Sequence, residues 1–190
     1  MLDTDPALGR PAADECLPYY FQYIQLVPDG HVVELLADQI AESAAFLRSF
    51  TPQQALRRKA PGEWNTLEIV GHVADVERVL GYRALRIARA DPVMWTKVEF
   101  EDYAAAANYR DRPLGDVVTE LATVRAASIA FLRSLDATAW QRRAPGDWTI
   151  RSVRAIAYTM AGHELHHLAD IRAQHGGHLR GEESETRLRT

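Results

Sequence analysis

Apolar residues recur at three- and four-residue steps in four long stretches of the chain, the signature of amphipathic helices, and strands are expected nowhere. The first stretch opens at Asp29, a good N-cap, and runs through VVELLADQIAESAAFLRSF. Thr51-Pro52-Gln53-Gln54 then starts a short helical turn, with threonine as cap, proline first and glutamine third. The second helix begins at Asn65, with Glu68 completing a capping box. It extends to about Ala90, where Asp91-Pro92 stops it because a residue before proline avoids the helical region. The third runs from about Pro113 to Ser134, and the fourth from Thr149 to the Gly176-Gly177 pair.

The connectors repeat. FLRSFTPQQALRRKAPGEW, from Phe46 to Trp64, and FLRSLDATAWQRRAPGDW, from Phe131 to Trp148, share ten residues in eighteen aligned positions once Lys59 is skipped. Each copy lies between two helical patterns, so helix–connector–helix is written twice. About twenty residues, DPVMWTKVEFEDYAAAANYRD, separate the halves without strong periodicity; connections of that length are usually functional or ordered on another subunit. The expected fold is all-α: a four-helix bundle with a duplicated helix pair and a long crossover between the second and third helices. One domain is expected over residues 1–190, ordered from about 18 to 176. The charged segment HLRGEESETRLRT, residues 178–190, should form a mobile tail.

Composition narrows the function classes. With 47% hydrophobic residues the chain can bury a sizeable core, and 25% charged residues with a net charge of −4 give no general attraction to nucleic acid or anionic membranes. No apolar run approaches the roughly 20 residues of a membrane span, and no signal peptide is visible, so a cytoplasmic location is expected. Cys16 is the single cysteine, which excludes an internal disulfide and multi-cysteine metal sites; it reads as a small packed hydrophobe.

Histidine is the anomaly. Five of the seven fall between His163 and His178. His163 and His167, four apart, sit about 40° apart on one helical face, a spacing at which two imidazoles can reach one metal ion. A third ligand has to come from a facing helix, and His72 in IVGHVADVERV offers it. The repeat supports this independently: shifting His72 by the 84 residues that separate Trp64 from Trp148 gives Ile156, two helical turns before His163 on the same face. Three neutral imidazoles leave coordination positions open, the pattern of a catalytic site rather than a sealed one. Asp75 and Asp170 are candidate carboxylates to orient the imidazoles, and one arginine among Arg78, Arg83, Arg86 and Arg89 could grip an anionic substrate group. His166 points about 60° away and is not counted as a ligand; His31, His175 and His178 read as surface residues. His163-Glu164-Leu165-His166-His167 also satisfies H-E-x-x-H, in which Glu164 would be the general base, but the overlying sheet of such proteases is missing and Glu185 lies in the charged tail. A di-iron bundle would need a second Glu-x-x-His pair, which is absent.

PYYFQYIQLVPDG, APGEWNTLEIVGHVADVERVLGYRALRIARAD and MAGHELHHLADI, with GHxxDxER spaced against HxxHH, make the chain resemble the DinB-like superfamily, including its YfiT-type members, from about Pro18 to Gly176. The resemblance implies a four-helix bundle, often dimeric, with metal ligands at His72, His163 and His167. Asp170 departs from the family pattern, where glutamine is common. Some relatives join a low-molecular-weight thiol such as bacillithiol or mycothiol to an electrophile, and others have been proposed as hydrolases. The expected function is therefore a metal-dependent thiol transferase or hydrolase holding one divalent ion (Zn, Ni, Fe or Mn). Glu164, Asp75 or Asp170 would take up the proton. Its expected partners are a small-molecule substrate and a second copy of the chain in a homodimer. The alternative is a non-catalytic metal-binding stress-response protein.

Overall fold

The computed structural model describes residues 9–92, 97–144 and 149–175, and every structural statement below concerns these residues. Helices α1 (Pro18–Leu26), α2 (Val32–Arg48), α3 (Pro52–Ala55), α4 (Thr66–Ala88), α5 (Phe100–Ala106), α6 (Leu114–Arg133), α7 (Ala137–Gln141) and α8 (Val153–His175) follow in chain order. The four long ones form a bundle in which α2 and α4 each pack between α6 and α8. The two long helices of each duplicated half, α2 with α4 and α6 with α8, therefore face each other across the bundle instead of lying side by side, and α1 lies along α8. No described helix is long and apolar enough to cross a membrane.

Local chemistry sets the boundaries. Asn65 accepts a hydrogen bond from the Glu68 amide while the Glu68 carboxylate accepts one from the Asn65 amide, so the expected capping box starts α4. Thr51 and Gln54 do the same for α3. The duplication is visible at atomic level: Ser49 at the end of α2 donates its hydroxyl to the Phe46 carbonyl at 2.6 Å, and Ser134 at the end of α6 donates to that of Phe131 at 2.7 Å.

Two boundaries differ from the sequence reading. The first long helix starts at Val32, not Asp29, because Gly30 adopts φ +146° and breaks the approach; Asp29 instead accepts a hydrogen bond from Arg10. The fourth starts at Val153, not Thr149. Residues 149–152 are extended and tied to the N-terminal segment, with Leu17 N–H donating to the Thr149 carbonyl and Arg151 N–H to that of Glu15. Ser152 then caps α8 through the Ala155 amide. The buried carboxylate of Glu15 secures the tie by accepting from Ser152 and Arg154. The crossover is not featureless either, since it carries α5 and a tight turn at Tyr109–Asp111. The Gly176-Gly177 stop, the tail, His178, Glu185 and Trp148 lie outside the described residues.

Candidate metal centre

Helix α8 runs through the middle of the molecule and is buried on most sides, which brings its histidines inward. His163 and His167 stack one turn apart, and His72 reaches them from α4. Ring centroids lie 4.5 Å (His163–His167), 5.2 Å (His72–His163) and 5.0 Å (His72–His167) apart. One nitrogen from each of the three rings lies within 4.8 Å of one from each of the others, close enough to hold a common ion. The Nε2 atoms of His163 and His167 are 3.1 Å apart. Two nitrogens bound at about 2.0–2.1 Å stand about 3.3 Å apart at a tetrahedral angle and about 2.9 Å at a right angle, so this separation fits a shared ion. Nδ1 of His72 is buried without a hydrogen-bond partner, an orphan among protein atoms.

The electrostatics suit metal binding. Burial pushes the His72 pKa down to about 4 and that of His167 to about 3, the latter helped by its histidine neighbours; His163 falls well below its ordinary range for the same reasons. All three imidazoles are thus neutral at physiological pH, with lone pairs available. Three nitrogens without a thiolate suit zinc, nickel, iron or manganese.

The surroundings are aromatic. Trp64 and Phe100 flank His72 at 4.7 and 5.7 Å between centroids, and the Tyr23 ring lies 5.3 Å from that of His163 and 5.4 Å from that of His166. Two glycines admit these walls. A Cβ on Gly162 would collide with the backbone of Tyr23, and one on Gly71 with the ring of Tyr109. Each glycine immediately precedes a histidine of the trio, so a Gly-His pair recurs on α4 and α8. The three imidazoles line a cavity of about 840 Å³, within the range of small-molecule sites. Its wall includes residues of the crossover, Val98 and Phe100 among them. A second cavity of about 480 Å³ adjoins it through Trp64, Glu101 and His167.

The three expected proton acceptors are dispersed. Asp170 lies near the imidazoles, its carboxylate 3.7 Å from Nδ1 of His167 and 3.5 Å from Nε2 of His166. Asp75 does not line the cavity; it accepts a hydrogen bond from the Tyr109 hydroxyl at 2.7 Å and pairs with Arg78. Glu164 faces away into the bundle, where its carboxylate pairs with Arg125 at 2.7 Å and accepts from Gln39 at 2.8 Å. It stands behind His167, and the two line a void of only about 10 Å³. The general-base role suggested by H-E-x-x-H is corrected accordingly: four-residue ligand spacing on a helix turns the glutamate between them onto another face.

One other histidine differs from its reading. His175 is not a surface residue: it is 1% exposed, hydrogen-bonded to Thr66 and stacked on Phe50. His166 is half-exposed at the cavity rim. Cys16 is buried, and its thiol is raised to about 11 by that burial, consistent with an inert packed residue.

The family model of the DinB superfamily matches residues 35–171. Among solved structures, a Bacillus subtilis protein, YfiT, superposes with a TM-score of 0.63 at 17% identity, over 87% of this chain and 90% of its own. It is described as "a probable metal-dependent hydrolase with an unusual four-helix bundle topology". A search of the curated proteins finds no match.

Proposed function

The chain belongs to the DinB superfamily, and from that premise we propose that it is a metal-dependent enzyme in which His72, His163 and His167 hold one divalent ion. The observation that carries this reading is the convergence of three neutral imidazoles on the wall of an open cavity of about 840 Å³; an ion that only braced the bundle would be sealed from it. When bound, such an ion lowers the pKa of a thiol or water molecule and makes it nucleophilic at neutral pH.

The chain's own residues supply the rest. The charge of the Asp170 carboxylate, 3.7 Å from Nδ1 of His167, favours a proton on that nitrogen and leaves Nε2 free for the ion. Trp64, Phe100 and Tyr23 keep bulk water from the trio and leave one side open to substrate. The proton acceptor we assign is His166, which lines the cavity and has the Asp170 carboxylate behind it, in place of the buried Glu164 and the engaged Asp75. Thiol transfer to an electrophile and hydrolysis both fit this arrangement. The homodimer expected from the family resemblance belongs to the same proposal, and sedimentation velocity decides it.

The test compares protein stripped of metal with protein reloaded with zinc, nickel, iron or manganese. Each form is offered a low-molecular-weight thiol with monochlorobimane and, separately, a p-nitrophenyl ester. Metal-dependent turnover that is lost in His163→Ala supports the enzyme reading and identifies the nucleophile. Absence of turnover in every loaded form, with unfolding when the ion is removed, would assign the ion a bracing role instead.

A further inference from the structure

The cavity continues along α4 well past the histidines. His72, Val76, Leu80 and Arg83 follow one another at steps of four, four and three, so they form one face of the helix, and all four line the cavity. At 1.5 Å per residue, His72 and Arg83 are about 16 Å apart along the axis. Both side chains lean back toward the helix N-terminus, the longer arginine further, so the guanidinium and the His72 imidazole stay on the order of 10–15 Å apart along the wall. Between the two ends α4 contributes only the apolar side chains of Val76 and Leu80.

Arg83 is 5% exposed, and burial is the main influence on its pKa, which is lowered; a hydrogen bond with Tyr20 partly offsets this. A guanidinium held in an apolar wall has given up most of its hydration, which strengthens its attraction for an anion that enters the same wall. The other charged groups of the cavity do not compete for that role. The Lys97 ammonium is 83% exposed and paired with Glu99 at 2.6 Å. Glu101 also lines the cavity, and its carboxylate carries the wrong charge to hold an anion.

We propose that Arg83 is the anion-binding residue of the substrate site, taking the carboxylate or sulfonate of an elongated molecule whose apolar body lies over Val76 and Leu80 and whose reactive end reaches the three imidazoles. The chemistry at the histidine end rests on the function proposed above; the binding of the anion does not.

The experiment is therefore a binding one on the metal-free full chain, in which a carboxylate has no ion to coordinate. Isothermal titration calorimetry compares 6-phenylhexanoate with its neutral counterpart 6-phenylhexan-1-ol. The carboxylate should bind about tenfold more tightly. Arg83→Met should abolish that preference and leave affinity for the alcohol unchanged, while Arg83→Lys should keep a smaller preference. If circular dichroism shows that Arg83→Met does not fold, the Arg83 Nε–H resonance of the parent replaces it, and should shift with the carboxylate but not with the alcohol. Equal affinities in the parent, binding of neither probe, a preference that survives Arg83→Met, or an unmoved resonance overturns the proposal. Turnover plays no part: a chain that selects the anion yet shows no turnover loses only the enzyme reading, and an active enzyme without the preference loses only this one.

Discussion

Arg125 of α6 and Glu164 of α8 meet at 2.7 Å inside the bundle, the guanidinium wholly screened from solvent. Glu77 of α4 completes the group through paired contacts of 2.7–3.0 Å, and the Leu36 carbonyl of α2 accepts a further hydrogen bond. One cation thus binds all four long helices, one residue away from a candidate metal ligand. Arg125→Met leaves two buried carboxylates without their partner and should cost about 3–5 kcal/mol, read from urea unfolding. A loss below about 1 kcal/mol would remove this group from the forces that hold the bundle.

Glu164→Gln separates two roles for one residue. Its carboxylate is engaged on Arg125 and Gln39, so the substitution should lower stability and leave metal stoichiometry and pH–rate behaviour unchanged. A selective loss of kcat with stability intact would restore Glu164 as the general base.

Elemental analysis tests the trio directly. His163→Ala and His72→Ala should each lose the ion while the far-ultraviolet circular dichroism stays helical, because most of α4 and α8 is held by apolar packing. Asp170→Ala should keep the ion but bind it about tenfold more weakly, since an orienting carboxylate is removed and no ligand. An affinity equal to the parent's would reduce Asp170 to a surface charge.

The metal-free protein should weaken in acid. The unfolded chain takes up protons on its histidines near pH 6.5, whereas His72 stays neutral in the fold to about pH 4 and His167 to about pH 3. Below pH 6.5 the unfolded state therefore binds more protons, so stability is full above that pH and is lost as pH falls toward 4. The slope is at most about 1.4 kcal/mol per pH unit for each such imidazole. Urea midpoints at pH 7 and pH 5 measure it, and His72→Phe should flatten the dependence.

Gly162→Ala should destabilise more than Gly71→Ala. The first added methyl meets the Tyr23 backbone of α1, which cannot rotate aside, and the second meets a side-chain ring. Thermal unfolding of both variants ranks them; the reverse order would mean that α1 is not held by this approach.

Periodicity carried the four long helices, and four-residue spacing together with the repeat singled out the three imidazoles that meet. Helix α1 escaped because Leu17 gives it no side-chain cap and its aromatic residues show no clear period; what fixes it is the approach of Tyr23 to Gly162 on α8, 139 positions further along the chain, a contact no local signal announces. The extended residues before α8 escaped for the same reason, since their partners are Glu15 and Leu17. The Glu77–Arg125–Glu164 group joins three helices through residues that each resemble ordinary helix-surface charge. Arg83 was legible only as one arginine in a run of four, until the step from His72 put it on the cavity face.

His72 and His163 come from opposite halves of the duplicated chain, and this orders events during synthesis. A ribosome releases the α4 imidazole long before the two on α8, so no partial chain can hold the ion with all three donors. On the function proposed above, the complete site becomes available only when α8 has emerged and closed against α4, which would make metal loading a late step of biogenesis.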